Sequence, residues 1–216
     1  MPYEMSRVRR ASATELVGRC PSGLNRPGQT RPWPIDQTVA VRDWVVGGAV
    51  IEAGSVGGAG PHAPAAPSGA VLLVQNRRHN GTSDWTPPGG VIDDGESVLD
   101  GLAREVAEET GLAVERWQGL LYEIRAEAPG LGWNLHVEVH RAAAAVGPLT
   151  VGADPDGIVV GSAWAATADC VELLGGTHPW VREPLLEWLE ERWTEPRQFR
   201  YRVLGGSPDE LRVERW

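Results

Sequence analysis

Residues 90–112 read GVIDDGESVLDGLAREVAEETGL, and this segment carries the clearest structural signal in the sequence. Ser97 stands just before a helical apolar period, Asp100 follows three residues later, and Gly111 comes just after Thr110. A small polar N-cap, an acidic residue at the third helical position and a terminal glycine are the usual marks of helix ends. They predict one helix of about four turns between Ser97 and Gly111.

Charge gathers on one face of this predicted helix. At roughly 100° per residue, Glu105, Glu108 and Glu109 fall within a sector of about 100°. Leu102 and Val106 fall on a neighbouring face, which can pack against a sheet. Like charges three and four residues apart destabilise a helix, and here they lie near its C-terminal end, where the helix dipole disfavours anions. The pattern therefore favours a bound divalent cation.

Magnesium fits this cluster because Mg²⁺ takes oxygen ligands from a few carboxylates, waters and substrate phosphates. Such ions neutralise a pyrophosphate and lower the pKa of a bound water that attacks phosphorus. Arg104 stands beside Glu105 and four residues before Glu108, so a bidentate contact can orient the carboxylates. The sequence predicts a Mg²⁺ site, with Mn²⁺ as the alternative metal.

The spacing of these residues resembles the Nudix box, G-x5-E-x7-R-E-U-x-E-E-x-G-U, where U is a bulky aliphatic residue, and every fixed position is filled. Seven residue types at set spacing arise by chance in fewer than about one in a million chains of this length. The resemblance implies that Arg104 orients the glutamates, that the Gly90 carbonyl ligates metal and that Glu96 supports the loop. It also implies that Glu105, Glu108 and Glu109 serve as metal ligands or as the base for the attacking water.

The fold that the resemblance implies is an α/β/α sandwich with a mixed sheet, from Val39 to about Ala168. The residues agree with it, since AVLLVQ at 70–75 predicts a buried strand and alternation predicts strands at 120–125 and 134–141. A helix at 180–193 and a hairpin at 199–204 and 211–216 are expected as a C-terminal extension, 180–216, of that core. The domain is predicted to span 38–216 after a flexible tail, 1–37.

Weaker signals lie outside the box, each with an ordinary explanation. Asp154 and Asp156 are candidates for a further acid, although an Asp-Pro turn explains them equally well. Arg77 and Arg78 are candidates for contact with substrate phosphates, although exposed loop arginines are common. Trp133 is a candidate to stack on a base from a loop, and core packing is the alternative.

Composition excludes several classes of protein. The net charge of -9 argues against polymeric nucleic acid, whose phosphates such a surface would repel. Cys20 and Cys170 are far apart, which indicates neither a disulfide framework nor a zinc site. Because no apolar run is long enough for a signal peptide or a membrane span, we expect a cytoplasmic protein without a membrane partner.

The leading functional hypothesis is hydrolysis of a pyrophosphate bond in a small nucleotide derivative, with a modified nucleoside triphosphate such as 8-oxo-dGTP as the first choice. ADP-ribose or another nucleotide sugar is the alternative substrate, because Pro129 lies downstream of the box where that branch of the family carries a proline. A non-catalytic nucleotide-sensing domain is the alternative class. An enzyme and a nucleotide sensor of this family are both compatible with a homodimer.

Overall fold

A computed structural model describes residues 41–57, 66–78, 81–151, 157–205 and 211–216. The strands in these ranges are β1 (Arg42–Val50), β2 (Val56–Gly57), β3 (Val71–Arg77), β4 (Ser83–Thr86), β5 (Gly89–Val91), β6 (Ala113–Ala128), β7 (Trp133–Val146), β8 (Val159–Ala165), β9 (Arg197–Leu204) and β10 (Arg212–Arg215). The helices are α1 (Val98–Thr110), α2 (Thr167–Leu173) and α3 (Pro179–Glu191).

The main sheet has the strand order β10-β9-β6-β7-β1-β5, and the short strand β2 also pairs with β7. Strand β1 runs parallel to β7, and β6 runs parallel to β9. Strand β5 is antiparallel to β1, β10 is antiparallel to β9, and β6 and β7 form an antiparallel hairpin. A second, antiparallel sheet has the order β4-β3-β8. The predicted mixed sheet is confirmed.

The core lies on both faces of the main sheet. On β7, Leu135, Val137 and Val139 alternate with polar residues and join a cluster that also contains Trp180 and Trp188 of α3. Strand alternation directs these three side chains to one face. The opposite face belongs to a smaller cluster, whose buried residues include Ala49, Ile51, Leu102 and Val106. Helices therefore cover the two faces, as the predicted α/β/α sandwich requires.

Helix α1 begins and ends where the sequence predicts. The Ser97 hydroxyl accepts from the Asp100 backbone N–H at 3.2 Å and donates to the Asp100 carboxylate at 2.6 Å. Gly111 ends the helix with φ 73°, a left-handed conformation that suits glycine. A Cβ at Gly111 would also collide with Thr150, so both conformation and space favour glycine there.

The C-terminal hairpin is confirmed, but it is not an appendage to the core. Strand β9 pairs in parallel with β6 and so extends the main sheet. Phe199, Tyr201 and Val203 alternate along β9 and are all buried. Their alternation indicated a strand, whereas the partner strand lies about 75 residues earlier and leaves no local signal. Helix α2, which is only seven residues long, was not predicted.

The prediction that Trp133 is a loop residue is wrong. Trp133 opens β7, is 6% exposed and meets the Trp180 ring edge-on at 6.2 Å between centroids. Strands β6 and β7 are each longer than predicted and join through a short 3-10 turn at Pro129–Leu131. Because both strands continue to that turn, Trp133 falls inside the paired region.

Several sequence predictions concern residues outside the described ranges. They are the tail of residues 1–37, Cys20, and the candidate acids Asp154 and Asp156. Cys170 is a buried free thiol. Within the described ranges, no helix has the length and apolar character that a membrane span requires.

Candidate active site

Paired glycines bring the start of the box against the main sheet. Gly89 and Gly90 of β5 pair with Gly48 and Gly47 of β1. A Cβ at Gly89 would collide with the backbone of Gly47, and a Cβ at Gly90 would collide with the Glu105 carboxylate. Without those carbons, the α1 carboxylate packs directly on the β5 backbone.

Arg104 connects the loop before α1 to the carboxylates of the helix. Its Nε donates to Glu96 Oε1 at 3.1 Å and its Nη2 to Glu96 Oε2 at 2.9 Å, which is a bidentate pair. Its Nη1 donates to Glu105 Oε1 and, at 3.4 Å, to Glu108 Oε2. Hydrogen bonding to Glu96 raises the pKa of Arg104, burial opposes this, and Glu105 raises it further. The guanidinium therefore stays charged and orients three acids at once.

Glu109 has a separate anchor. The backbone N–H of Gly89 donates to Glu109 Oε2 at 2.8 Å, and Glu109 is only 7% exposed. A buried carboxylate needs such a partner because its desolvation is costly. This bond joins the C-terminal half of α1 to the start of β5, twenty residues earlier.

The carboxylates lie close to protein and do not spread into solvent. The side chains of Glu105 and Glu108 are 14% and 27% exposed. Their chemistry fits a hard cation, which takes carboxylate oxygens together with backbone carbonyls and water. Within the described ranges, no three acidic, histidine or cysteine side chains are already arranged to hold a metal ion. The carboxylate oxygens that could bind a metal are present, and they accept hydrogen bonds from Arg104 and from the Gly89 N–H.

A cavity lies between the two sheets, and Gly89 of β5 is part of its wall. Apolar side chains form most of its wall, among them Ile124, Val137 and Trp180. Gly89 lies in the same wall, so one residue both borders the cavity and binds the Glu109 carboxylate. An apolar cavity that shares Gly89 with the anchor of the Glu109 carboxylate suits a ligand with a flat hydrophobic part and a charged part.

Residues 63–189 match the family model described as the NUDIX domain, which is more than half of the 216 residues. The chain belongs to the NUDIX family. This agrees with the resemblance that the spacing of residues 90–112 indicates.

Two curated NUDIX relatives match the chain over short stretches. Nudix hydrolase 2 of Arabidopsis thaliana is 47% identical over 47 residues, which are 21% of this chain and 17% of that protein. The oxidized purine nucleoside triphosphate hydrolase of Mus musculus is 42% identical over 45 residues, 21% of this chain and 29% of that protein. The chain thus matches less than a third of the length of each.

The NUDIX fold is also evident from solved structures. The Escherichia coli protein ORF135 superposes with a TM-score of 0.53 at 17% sequence identity, covering 72% of this chain and 96% of that one. At this identity the likeness concerns the fold. It agrees with the mixed α/β fold described above.

The remaining predicted residues of the NUDIX site are placed as follows. Arg78 forms an ion pair with Asp84, its Nε donating to Asp84 Oδ2 at 2.8 Å. Arg77 is exposed at the end of β3. Trp133 is in the core, as noted above, where its contact with Trp180 places it behind the cavity wall and not in a loop.

Sequence reasoning missed the polar residues of the NUDIX cavity. Apart from the indole of Trp180, the cavity-lining side chains that carry polar atoms are Asn76, Thr86 and Tyr122. Burial raises the pKa of Tyr122, so its hydroxyl is protonated at neutral pH. Asn76 lies among buried residues of β3. An amide within an apolar strand was the only sequence signal that could have pointed to a polar group in the cavity wall.

His178 lies near the same cavity, just before α3. Its ring stacks on Trp180 at 4.3 Å between centroids with an interplanar angle of 9°. Burial lowers the pKa of His178 to about 4; Asp84 opposes the shift and Arg78 adds to it. The imidazole is therefore neutral at pH 7.

Proposed function

We propose that the protein is a Mg²⁺-dependent hydrolase of a pyrophosphate bond in a nucleoside diphosphate derivative, with a modified nucleoside triphosphate such as 8-oxo-dGTP as the preferred substrate. The observation that carries this proposal is the position of Gly89. It lines the apolar cavity and donates its N–H to Glu109. A base held in the cavity would therefore have its phosphates beside the carboxylates of α1.

The metal would be held by the carboxylates of Glu105, Glu108 and Glu109 and by the Gly90 carbonyl. When bound, Mg²⁺ neutralises phosphate charge and lowers the pKa of a coordinated water. Arg104 holds the glutamates in position through its bonds to Glu96 and Glu105. We assign the activation of water to Glu105 or Glu108, because both side chains are partly exposed, while Glu109 is tied to Gly89.

Two further candidates for the proposed site lie outside the described ranges. Asp154 and Asp156 are candidates for a further acid, because residues 150 and 157, which flank them, follow β7 and precede β8. The Thr150 backbone N–H donates to the Thr110 carbonyl at 2.9 Å, at the end of α1, so this connection begins at the carboxylate helix. Arg77, exposed at the end of β3, is the remaining candidate for phosphate contact.

The choice of a modified nucleoside triphosphate is supported by the cavity and by one relative. The cavity has mostly apolar walls with a few polar atoms, which suits a heterocyclic base better than a second sugar. The Mus musculus relative, an oxidized purine nucleoside triphosphate hydrolase, matches 45 residues of this chain at 42% identity. ADP-ribose remains the alternative that a substrate panel has to test.

The test is a substrate panel of nucleoside triphosphates, 8-oxo-dGTP, ADP-ribose and nucleotide sugars, assayed with Mg²⁺ and with chelator. We expect turnover of a modified triphosphate, which releases pyrophosphate, and loss of that turnover with chelator. If ADP-ribose were the only compound cleaved efficiently, ADP-ribose would replace the modified triphosphate as the assigned substrate. A protein that binds these ligands and hydrolyses none would be a nucleotide sensor.

A matched pair of variants tests the site itself. Glu109→Gln removes a buried charge and keeps an acceptor for the Gly89 N–H, so the fold should persist while kcat falls about 10²-fold or more. Glu190→Gln makes the same chemical change at an exposed position of α3 and should leave kcat unchanged. Equal turnover by Glu109→Gln and the parent protein would remove Glu109 from the site.

A further inference from the structure

A row of exposed side chains crosses the main sheet on the face that points away from the cavity. Ile124 of β6 lines the cavity, so its neighbour Arg125 points to the other face. Arg200 of β9 pairs directly with Arg125, and the Trp216 N–H, just after β10, donates to the Arg200 carbonyl at 3.1 Å. Arg125 and Arg200 are exposed. Three neighbouring strands thus place two arginines and a tryptophan side by side.

The two guanidinium groups of this row lack a counter-charge. Neighbouring strands lie about 4.8 Å apart, so the positive charges of Arg125 and Arg200 repel each other. In the part of the chain that the structure describes, neither side chain makes an ion pair. Arg212, on the same face of the C-terminal hairpin, does make one, with Glu214 at 3.1 Å. An anion held between Arg125 and Arg200 would remove their repulsion.

Trp216 supplies a flat apolar surface at the end of the row. The guanidinium carbons of Arg200 and Arg202 lie 5.4 Å and 5.5 Å from the centre of its ring, which is within the range of a cation–π contact. These contacts hold the indole against β9, while 59% of the residue remains exposed. An exposed indole beside guanidinium groups can stack on a nucleic-acid base whose phosphate the arginines bind.

Acidic side chains limit the size of the anion that this face accepts. Glu123 and Glu127 lie two residues to either side of Arg125 on β6, so the three side chains share a face. Glu123 accepts from Gln198 at 3.3 Å, and Glu127 lies 3.9 Å from Arg202. A polymeric strand that crossed this face would bring further phosphates against these carboxylates. The positive part of the row therefore fits a single phosphate group.

We infer that Arg125, Arg200 and Trp216 form a second binding site, whose ligand is a nucleoside monophosphate. The two guanidinium groups bind the phosphate oxygens, for which their planar array of donors is suited. The indole of Trp216 stacks on the base, and stacking of this kind accepts any base. Because the site lies on the opposite face of the sheet from the cavity, the inference goes beyond the proposed function and does not rest on it.

The experiment is a titration of the ¹⁵N-labelled protein with AMP in the presence of Mg²⁺, followed through the indole N–H signals. AMP contains no pyrophosphate bond and is not consumed. The signal that disappears in Trp216→Leu reports the second site, and the signal that disappears in Trp180→Phe reports the cavity. We expect the Trp216 signal to shift and to saturate with a dissociation constant of its own. Absence of a saturable shift of the Trp216 signal overturns the inference.

Two variants and a matched control test the guanidinium groups. Arg125→Gln and Arg200→Gln should each raise the dissociation constant read from the Trp216 signal by about tenfold, because each removes charge-assisted hydrogen bonds to the phosphate. Arg212→Gln makes the same change on the same face, at an arginine that already has a partner. Its dissociation constant should stay within about twofold of the wild type. Equal losses in all three variants would show only a general effect of surface charge and would overturn the site.

A ligand series tests the assigned chemistry. Inorganic phosphate and adenosine should each bind at least about tenfold more weakly than AMP, because each keeps only part of the contacts. Phosphate that binds as tightly as AMP would leave Trp216 without a role and overturn the assignment. A single-stranded oligonucleotide that binds more tightly than AMP, and loses affinity in Arg125→Gln, would make the face a nucleic-acid surface and also overturn it. None of these measurements needs hydrolysis, so failure of the proposed function is detected separately in the substrate panel.

Discussion

The carboxylate helix α1 and the cavity beside it are neighbours built in opposite ways. The site on α1 consists of charged residues from one helix and its preceding loop, held by Arg104. The cavity is lined mostly by apolar residues of β1, β6, β7 and α3, together with Asn76 of β3, Thr86 of β4 and Gly89 of β5. Gly89 is where they meet, since it borders the cavity and binds Glu109. The contrast teaches that a chemical step can be specified by one short segment, whereas selection of a ligand needs the whole fold.

This contrast predicts that changes in the box affect kcat while changes in the cavity affect KM and stability. The largest effect, similar in size to that of Glu109→Gln, should come from Gly90→Ala, because the added Cβ collides with the Glu105 carboxylate. A displacement of about 1 Å at a catalytic group costs roughly 10²-fold in rate. Steady-state kinetics with the best substrate of the panel would measure it. Gly175→Ala is the control, since a Cβ at Gly175 meets nothing within 4 Å; an unchanged kcat in Gly90→Ala would contradict the placement of Glu105.

The next effect concerns the bidentate contact between the Arg104 guanidinium and Glu96. Arg104→Lys keeps a positive charge but cannot make the bidentate pair with Glu96 while reaching Glu105, so kcat should fall about tenfold with little change in KM. Arg197→Lys is the matched control, because Arg197 pairs with Glu191 on the surface at 2.7 Å. If lysine at 104 restored full activity, charge alone would explain the role of Arg104.

On the cavity side, two buried tryptophans of α3 form a matched pair. Trp180 lines the cavity, and Trp188 does not belong to its wall in the described ranges; each is 2% exposed. Replacing either by Phe should lower the free energy of unfolding by about 1–2 kcal/mol. Only Trp180→Phe should also raise KM several-fold, with kcat within about twofold of the parent. Equal KM values for the two variants would show that the cavity does not hold the ligand.

The last expected effect concerns stability alone: the free energy of unfolding should depend on pH through His178, which stacks on Trp180. The folded protein holds the pKa of His178 at about 4, below the ordinary 6.5. Between pH 6.5 and pH 4, His178 is therefore protonated in the unfolded chain but stays neutral in the folded protein. The free energy of unfolding falls as the pH drops through this range. The expected loss is on the order of 2 kcal/mol.

His178→Phe isolates this contribution, because a phenyl ring can still stack on Trp180. Denaturant unfolding between pH 7 and pH 4 should show a shallower loss for this variant than for the parent. Curves that remain parallel over that range would mean that His178 titrates normally.

Much of the fold was predictable because its signals are local. The two ends of α1, the buried strand β3, the hairpin of β6 and β7 and the C-terminal hairpin each follow from periodicity and from capping or turn residues within a few positions. The residues of the box were predictable for the same reason, since one helix places Glu105, Glu108 and Glu109 on one face.

Other features were decided only by the tertiary structure, because they join residues far apart in the chain. The parallel pairing of β9 with β6, the burial of Trp133 and the Asn76–Asp84–Arg78 network depend on strand register and on packing between layers. Even within the box, helical spacing placed Arg104 beside Glu105 and Glu108, whereas its bidentate partner is Glu96 from the preceding loop. Local sequence determines which side chains share a face, and only the folded chain determines what that face meets.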